Sequence, residues 1–335
     1  MHGVTPTPLS GIRVLDMTTY LAGPLATRVL ADLGATVLKV EPPAGDVTRA
    51  GWRHGDDAGG ASFYWRALHG GRRSVAIDLA TEDGRDQLLN LAGSADVVVD
   101  NLRPGVTARF GVDGPSLRAR FPQLITCAIT GFDPADELAG ISATDGPVQA
   151  WAGSVDLMQR WCGVELPMPV QAGDIAGGSA AAQGVLAALF DRTRTGVGRH
   201  VQVSLAGALT QWLAVTDRQM TLKPPATLVL TGGDGVRFLV QTPLRFASVL
   251  LQVLSLPFDL PKEQVADACA KVAATDTGRA WLDKLWGAGI PAAAVRQLGV
   301  PDEAPPQPPW AFDGERAPRP GPPPELDADR ERLWE

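Results

Sequence analysis

Ile12–Glu41 reads IRVLDMTTYLAGPLATRVLADLGATVLKVE. Ile12–Met17 is an apolar run of strand length, and Ala35–Glu41 is a second. Between them Thr18–Pro24 reads as a turn. Leu25–Leu33 has the apolar spacing of a helix, and Gly34 stops it. Strand, helix and strand in so short a span predict a βαβ unit, whose two strands run parallel. The helix start after Gly23 and Pro24 is a natural anion site. The GxGxxG spacing of the usual dinucleotide fingerprint is missing.

The alternation continues downstream. Arg72–Leu79 is strand-like, and the helix that follows carries Glu82, Asp83 and Asp86 near its start, where the macrodipole favours them. Ala95–Leu102 (ADVVVDNL) is a strand, Val106–Pro122 is largely helical, and Leu124–Phe132 (LITCAITGF) is a strand. Repeated strand–helix alternation over 12–132 predicts an α/β fold with a doubly wound, mostly parallel sheet. Ligands of such folds bind beyond the carboxyl ends of the strands. Those ends are Thr18–Gly23, Asn101–Gly105 and Thr130–Phe132.

Residues 133–169 are rich in Gly and Pro, with one short helix expected over Gly146–Ala152. Val170–Ser204 then reads VQAGDIAGGSAAAQGVLAALFDRTRTGVGRHVQVS. Asp174 precedes a proline-free helical run of Ala, Gly and Leu, so it is well placed as an N-cap. A second reading has the carboxylate exposed to a ligand, with Gly173, Gly177 and Gly178 leaving room for a substrate to approach. A basic, Gly-punctuated turn is expected over Asp191–Arg199, before the alternating strand His200–Ser204. Further expectations are a helix over Leu205–Asp217, a connector over 218–231, a strand over Gly233–Gln241, and helices around 245–256, 262–273 and 277–288. The proline-rich stretch Gly299–Glu325 reads as an extended tail lying on the surface.

The chain has 335 residues, 45% hydrophobic and 20% charged, as in globular proteins. Its net charge of −7 argues against a nucleic-acid partner. Three widely spaced cysteines form neither a disulfide framework nor a zinc pattern, which favours a reducing, cytoplasmic setting. The four histidines lack metal-ligand spacing, so no metal is expected. Without an apolar leader or an 18-residue apolar span, no membrane association is expected.

Leu9–Arg49 resembles the opening of the class III CoA-transferases, the family (CaiB/BaiF type) of formyl-CoA transferase, the carnitine CoA-transferases and α-methylacyl-CoA racemase. The resemblance continues through Arg72–Phe132, GDIAGGSAAAQGVLAALFDRTRTGVGRHVQVSL, DGVRFLV, GIPAAAV and the ending APRPGPPPELDADRERL. It implies a large CoA-binding α/β domain over 1–215, a reduced small α+β domain over 216–295, and a tail over 296–335 that packs back on the large domain. It also implies an interlocked homodimer acting on acyl-CoA and a small carboxylic acid, with CoA as substrate rather than as a resident cofactor.

By the same resemblance, Asp174 falls on the family's catalytic aspartate, which forms an acyl-aspartyl anhydride and then an aspartyl-CoA thioester. A helix N-terminus is expected to supply the donors for the developing oxyanion. Tyr20, Leu21 and Ala22 match the loop lying along CoA. His69, Arg72 and Arg73 fall where the family places polar and basic residues near the nucleotide, and Arg109 matches an arginine near the CoA phosphates. Guanidinium suits phosphate by its fork geometry. The chain departs from the pattern at Thr144, which fills the histidine slot of the racemases and disfavours two-base racemisation. It is also short between Leu213 and Gly233, where relatives carry a glycine-rich lid; Thr231-Gly232-Gly233 is the candidate stand-in. A racemase or epimerase of the same fold, and a CoA-binding paralogue without turnover, are the alternatives.

Overall fold

The computed structural model describes residues 7–50, 61–215, 227–241, 247–297, 307–318 and 320–334. Six strands form one sheet: β1 (Arg13–Met17), β2 (Thr36–Glu41), β3 (Arg73–Ala76), β4 (Val97–Asp100), β5 (Ile125–Thr130) and β6 (His200–Ser204). Their order is β3-β2-β1-β4-β5-β6, with every pair parallel. Alternate residues of a strand face opposite sides of a sheet. Val14, Val97, Val99 and Ile125 accordingly join one core, covered by α1 (Ala22–Asp32) and α8 (Ala172–Thr195). Leu15, Leu38 and Val98 join a second core on the other face, with Leu88 of α3 (Glu82–Gly93) and Leu117 of α5 (Gly114–Arg120). Two cores flanking one parallel sheet make a doubly wound α/β fold, as the strand–helix alternation predicts. The strand order reverses between β1 and β4, and that reversal opens a crevice at the carboxyl ends of these two strands.

Several local expectations are corrected. A helix, α2 (Phe63–His69), precedes β3, and Ser62 caps it by accepting from the Trp65 amide. Two helices rather than one occupy 133–169: α6 (Asp145–Ala152) and α7 (Ser154–Cys162), parted by Gly153 at φ 93°. Helix α8 runs 24 residues and absorbs Asp191–Thr195, which the sequence suggests as a turn. Gly196 at φ 69° supplies the left-handed residue that ends it, and Arg192 holds the last turn by an ion pair to Asp96 at 2.8 Å.

The chain divides into two compact units. The first comprises 1–158, 165–216 and 301–335; the second comprises 159–164 and 217–300. In the second, β7 (Thr227–Thr231), β8 (Arg237–Gln241) and β9 (Ala292–Ala294) form an antiparallel sheet. The end of the expected connector is thus a strand, whose Leu230 packs with Phe238, Val240 and Trp281. Helices α10 (Ala247–Val253), α11 (Lys262–Ala273) and α12 (Gly278–Gly287) complete this unit. Thr231-Gly232-Gly233 begins the β7–β8 hairpin turn, where Asp234 accepts from the amides of Val236 and Gly278 at 3.1 and 3.0 Å, tying the turn to α12. Residues 216–226 of the expected lid region lie outside the described residues.

In the first unit the C-terminal segment lines the edge strand β3. Ser74 and Ala76 donate their amides to the carboxylates of Asp329 and Asp327 at 3.0 and 2.8 Å. Asp329 returns its own amide to the Ser74 carbonyl at 3.1 Å. These bonds satisfy edge groups that would otherwise face solvent.

Candidate active site at the strand-order reversal

The loops after β1 and β4 are joined across the crevice by one side chain. Asn101 Oδ1 accepts from the Thr19 amide at 2.8 Å, and Asn101 Nδ2 donates to the Thr19 carbonyl at 2.8 Å. The next residue, Tyr20, is half exposed and adopts φ 63°, a left-handed conformation that costs a non-glycine residue energy.

Buried charges hold the same loop from behind. Asp16 accepts from the Thr18 amide and hydroxyl at 2.8 and 2.6 Å, from Thr27 Oγ1 at 2.7 Å and from Arg72 Nη1 at 2.7 Å. Arg72 also donates to the Pro24 carbonyl at 2.6 Å. Lys39 donates to the Thr18 carbonyl and pairs with Asp46 at 3.1 Å. His69 is fully buried, stacked on Trp65 at 3.9 Å, with Nδ1 3.3 Å from Arg72 Nη1. Burial first, and the surrounding cations Arg72, Lys39, Arg49 and Arg28 next, hold its pKa well below the ordinary value, so the ring is neutral.

Helix α8 delivers Asp174 beside this loop. Gly178 sits where a β-carbon would lie 2.5 Å from the Ala22 carbonyl oxygen, which sets how closely α1 and α8 pack. Asp174 is one turn earlier on the same face of α8, on the N-terminal side of that contact. The other two glycines of this stretch also serve packing: Gly173 faces Val148 of α6, and Gly177 faces Leu205 of α9 (Leu205–Ala214). Their bare α-carbons admit neighbouring helices, not a substrate.

Asp174 is not the N-cap. Gln171 is, and Asp174 is the third residue of the helix. The capping carboxylate comes from α6: Asp145 Oδ1 accepts from the Gly173 and Asp174 amides at 2.8 and 3.2 Å. The neighbouring amides are taken too, Ala172 by the Val170 carbonyl at 2.7 Å and Ile175 by the Gln171 carbonyl at 2.9 Å. The start of α8 therefore has no free donor for an oxyanion, contrary to the sequence-based expectation. Burial, and then the Asp145 charge, push the Asp174 carboxyl up to about 7.

The structure packs Gly178, one turn after Asp174, against Ala22 at the start of α1, and sets the other candidate residues elsewhere. Arg72 and His69 are buried behind the loop, so they shape it and do not face a ligand. Arg73 stands on the edge strand, level with Leu38 in mid-sheet, and its guanidinium donates to the Arg332 carbonyl at 2.8 Å. As the first residue of its strand it is away from the carboxyl-end crevice, and the tail takes its guanidinium. Arg109 ends the short helix α4 (Val106–Arg109) after β4, exposed, 4.9 Å over the Phe110 ring. Three contributors escape sequence reasoning. Asn101 looks like any strand-end asparagine. Gln149 shows only as a residue four after Asp145 on one helix face. Tyr64, whose hydroxyl accepts from Gln171 Nε2 at 3.1 Å, sits on the overlooked α2.

A parallel sheet with a carboxylate-bearing helix at its strand-order reversal defines a ligand-binding α/β protein of the doubly wound type. Residues 9–227 match the CoA-transferase family III, and the chain belongs to that family. It is 35% identical over 229 residues to a succinate–glutarate CoA-transferase of Agrobacterium fabrum, covering 66% of this chain and 57% of that protein. It is 40% identical over 198 residues to a probable fatty acyl-CoA transferase of Mycobacterium tuberculosis, Rv3272, covering 59% and 50%. The crystal structure of Rv3272 from M. tuberculosis matches with a TM-score of 0.84 at 27% identity, over 98% of this chain and 100% of that one. The chain spans about half the length of the curated relatives it matches.

Proposed function

We propose that this chain moves CoA between an acyl-CoA thioester and a carboxylic acid, with Asp174 as the catalytic nucleophile. The ionised carboxylate attacks the thioester carbonyl, the C–S bond breaks, and CoA thiolate leaves an acyl-aspartyl anhydride. The thiolate attacks the aspartyl carbonyl, releases the donor acid and leaves an aspartyl-CoA thioester. The acceptor carboxylate attacks that thioester, and the freed thiolate takes the acceptor's acyl carbon, regenerating Asp174. This is covalent catalysis by a carboxylate. No net proton is consumed.

The observation that carries the reading is the packing of Gly178, one turn after Asp174, on the Ala22 carbonyl beside the strand-order reversal. Family membership supports it. In this reading Tyr20, Leu21 and Ala22 lie along CoA, and Arg109, exposed after β4, meets its phosphates. Arg72 and His69 act at one remove, by holding the loop. Oxyanion donors come from groups other than the start of α8. An interlocked homodimer in the cytoplasm, the family's arrangement, belongs to the same reading, and sedimentation of the purified chain tests the dimer.

The test incubates the chain with a panel of acyl-CoA esters and hydroxylamine, then maps adducts by mass spectrometry. A hydroxamate on Asp174, absent from Asp174→Ala, is expected. No adduct with any ester overturns the reading. Solvent deuterium at the substrate α-carbon without CoA exchange would favour a racemase instead.

A further inference from the structure

Asp174 and Asp145 approach each other at the start of α8, and two neighbouring carboxylates share one proton more readily than they ionise together. The hydrogen bonds show which of the two has room for it. Asp145 Oδ1 accepts from the Gly173 and Asp174 amides at 2.8 and 3.2 Å. Its Oδ2 accepts from Gln149 Nε2 at 2.7 Å. Both oxygens thus face N–H donors.

Gln149 cannot turn over to change this. It is fully buried. Its Oε1 accepts from the Met168 amide at 2.8 Å and from Ser154 Oγ at 3.0 Å. Its Nε2 also donates to the Val170 carbonyl at 2.9 Å. A flipped amide would set its oxygen against the Val170 carbonyl and Asp145, and its NH2 group against the Met168 amide. Each is a like-against-like contact between buried groups, which costs several hydrogen bonds at once.

We propose that Gln149 fixes the Asp145 carboxylate in place, and that Asp145, as a positioning residue, caps α8 and governs when Asp174 becomes a nucleophile. The inference deepens the proposed function and rests on it for its kinetic consequence. Against Gly177 and Gly178 of α8, helix α9 presents Leu205 and α1 presents Ala22 and Leu25, and α2 reaches α8 through the neutral Tyr64–Gln171 bond. Among the described residues Asp145 is the charged neighbour acting on Asp174. Asp174 is therefore protonated in part at neutral pH and becomes a nucleophile only as it loses that proton.

Carbon-13 NMR of aspartate-labelled protein tests this without substrate, with Asp174→Asn and Asp145→Asn assigning the two carboxyl signals. In the wild-type chain the transition near neutrality is expected on Asp174. A neutral-range transition on Asp145 instead overturns the proposal. In Asp145→Asn the Asp174 midpoint is expected to fall by about one unit or more. The acid limb of Asp174 adduct formation should move with it. A slower reaction with an unmoved midpoint would reduce Asp145 to a purely structural cap and overturn the proposal. Gln149→Leu keeps the Asp145 charge while loosening its support; it should slow adduct formation and leave the midpoint in place. If Asp145→Asn does not fold, the wild-type titration and Gln149→Leu still decide. If no acyl-CoA modifies Asp174, the transferase reading fails while the titration stands or falls on its own.

Discussion

The carbonyl oxygen of Ala22 faces Gly178 so closely that a β-carbon there would stand 2.5 Å from it and 3.2 Å from Leu25 Cβ. This contact sets the height of α8 over α1, and hence of Asp174 over the loop that follows β1. Alanine is the better helix former by about 1 kcal/mol, so propensity alone would make Gly178→Ala stabilising. The clash is with backbone, which cannot swing away, and overpacking of this kind costs about 1–3 kcal/mol. Gly178→Ala should therefore lower the melting temperature despite the propensity gain. Gly140→Ala, where the β-carbon meets open space, should stay within about 0.5 kcal/mol of wild type. Thermal melts of the two variants check both statements.

Asn101 donates to and accepts from the same residue, Thr19, at 2.8 Å each way. Only a primary amide does both in one plane. Asn101→Asp would set a carboxylate against the Thr19 carbonyl, and Asn101→Ala would drop both bonds. The loss is worth about 1–3 kcal/mol. If the Thr19–Ala22 loop carries CoA, the KM for acyl-CoA should rise about tenfold while kcat changes less. Steady-state kinetics with one donor ester decides this. An unchanged KM would detach the loop from CoA binding.

The sheet was legible in the sequence because its strands are buried on both faces, and such strands read as continuous apolar runs: Val14–Leu15, Val37–Leu38 and Val97–Val99. The Ala- and Gly-rich α8 was equally plain, though its end was not. Arg192 and Thr193 suit a turn or a helix, and the ion pair of Arg192 with Asp96 decides for helix across 96 residues of sequence separation. The site was legible only in part. Asp174 stands out by its context, while its cap, Asp145, acts from another helix, a relation that no local spacing records. Arg72 and His69 were ligand contacts only by the family resemblance. Burial with Asp16 made them part of the frame.

Arg72 and Asp16 form an ion pair with both side chains fully buried. Removing one partner of such a pair leaves a buried charge and typically costs about 3–5 kcal/mol. Arg72→Met should be destabilised on that scale. Arg72→Lys should recover little, because lysine cannot reach Asp16 and the Pro24 carbonyl together. Adding Asp16→Asn to Arg72→Met should restore part of the loss, since the asparagine carries no charge, keeps its Oδ1 as the acceptor for Thr18 and can donate its NH2 group to Thr27 Oγ1. Denaturant unfolding of the two single variants and the double variant tests the coupling.

The Asp174 carboxyl, raised from 3.8 to about 7 in the folded chain, also makes stability depend on pH. A group that holds its proton more tightly when folded stabilises the fold while protonated. The benefit is whole below the unfolded value near 3.8 and declines as pH rises toward 7. Above that the ionised side chain opposes folding by at most about 4 kcal/mol, reduced by the solvent that reaches this half-buried group. Asp174→Asn removes the charge and keeps the shape. Its melting temperature should exceed that of wild type by a few degrees at about pH 8. The difference should shrink steadily on acidification and vanish near about pH 4. Other carboxyls that titrate in this range, such as Asp100, also pushed up to about 7 by burial, act on both proteins alike and cancel in the difference. Differential scanning calorimetry at a series of pH values measures it. A difference that does not vary with pH would mean that Asp174 is ionised throughout, and the delay that its proton imposes on nucleophilic attack would not exist.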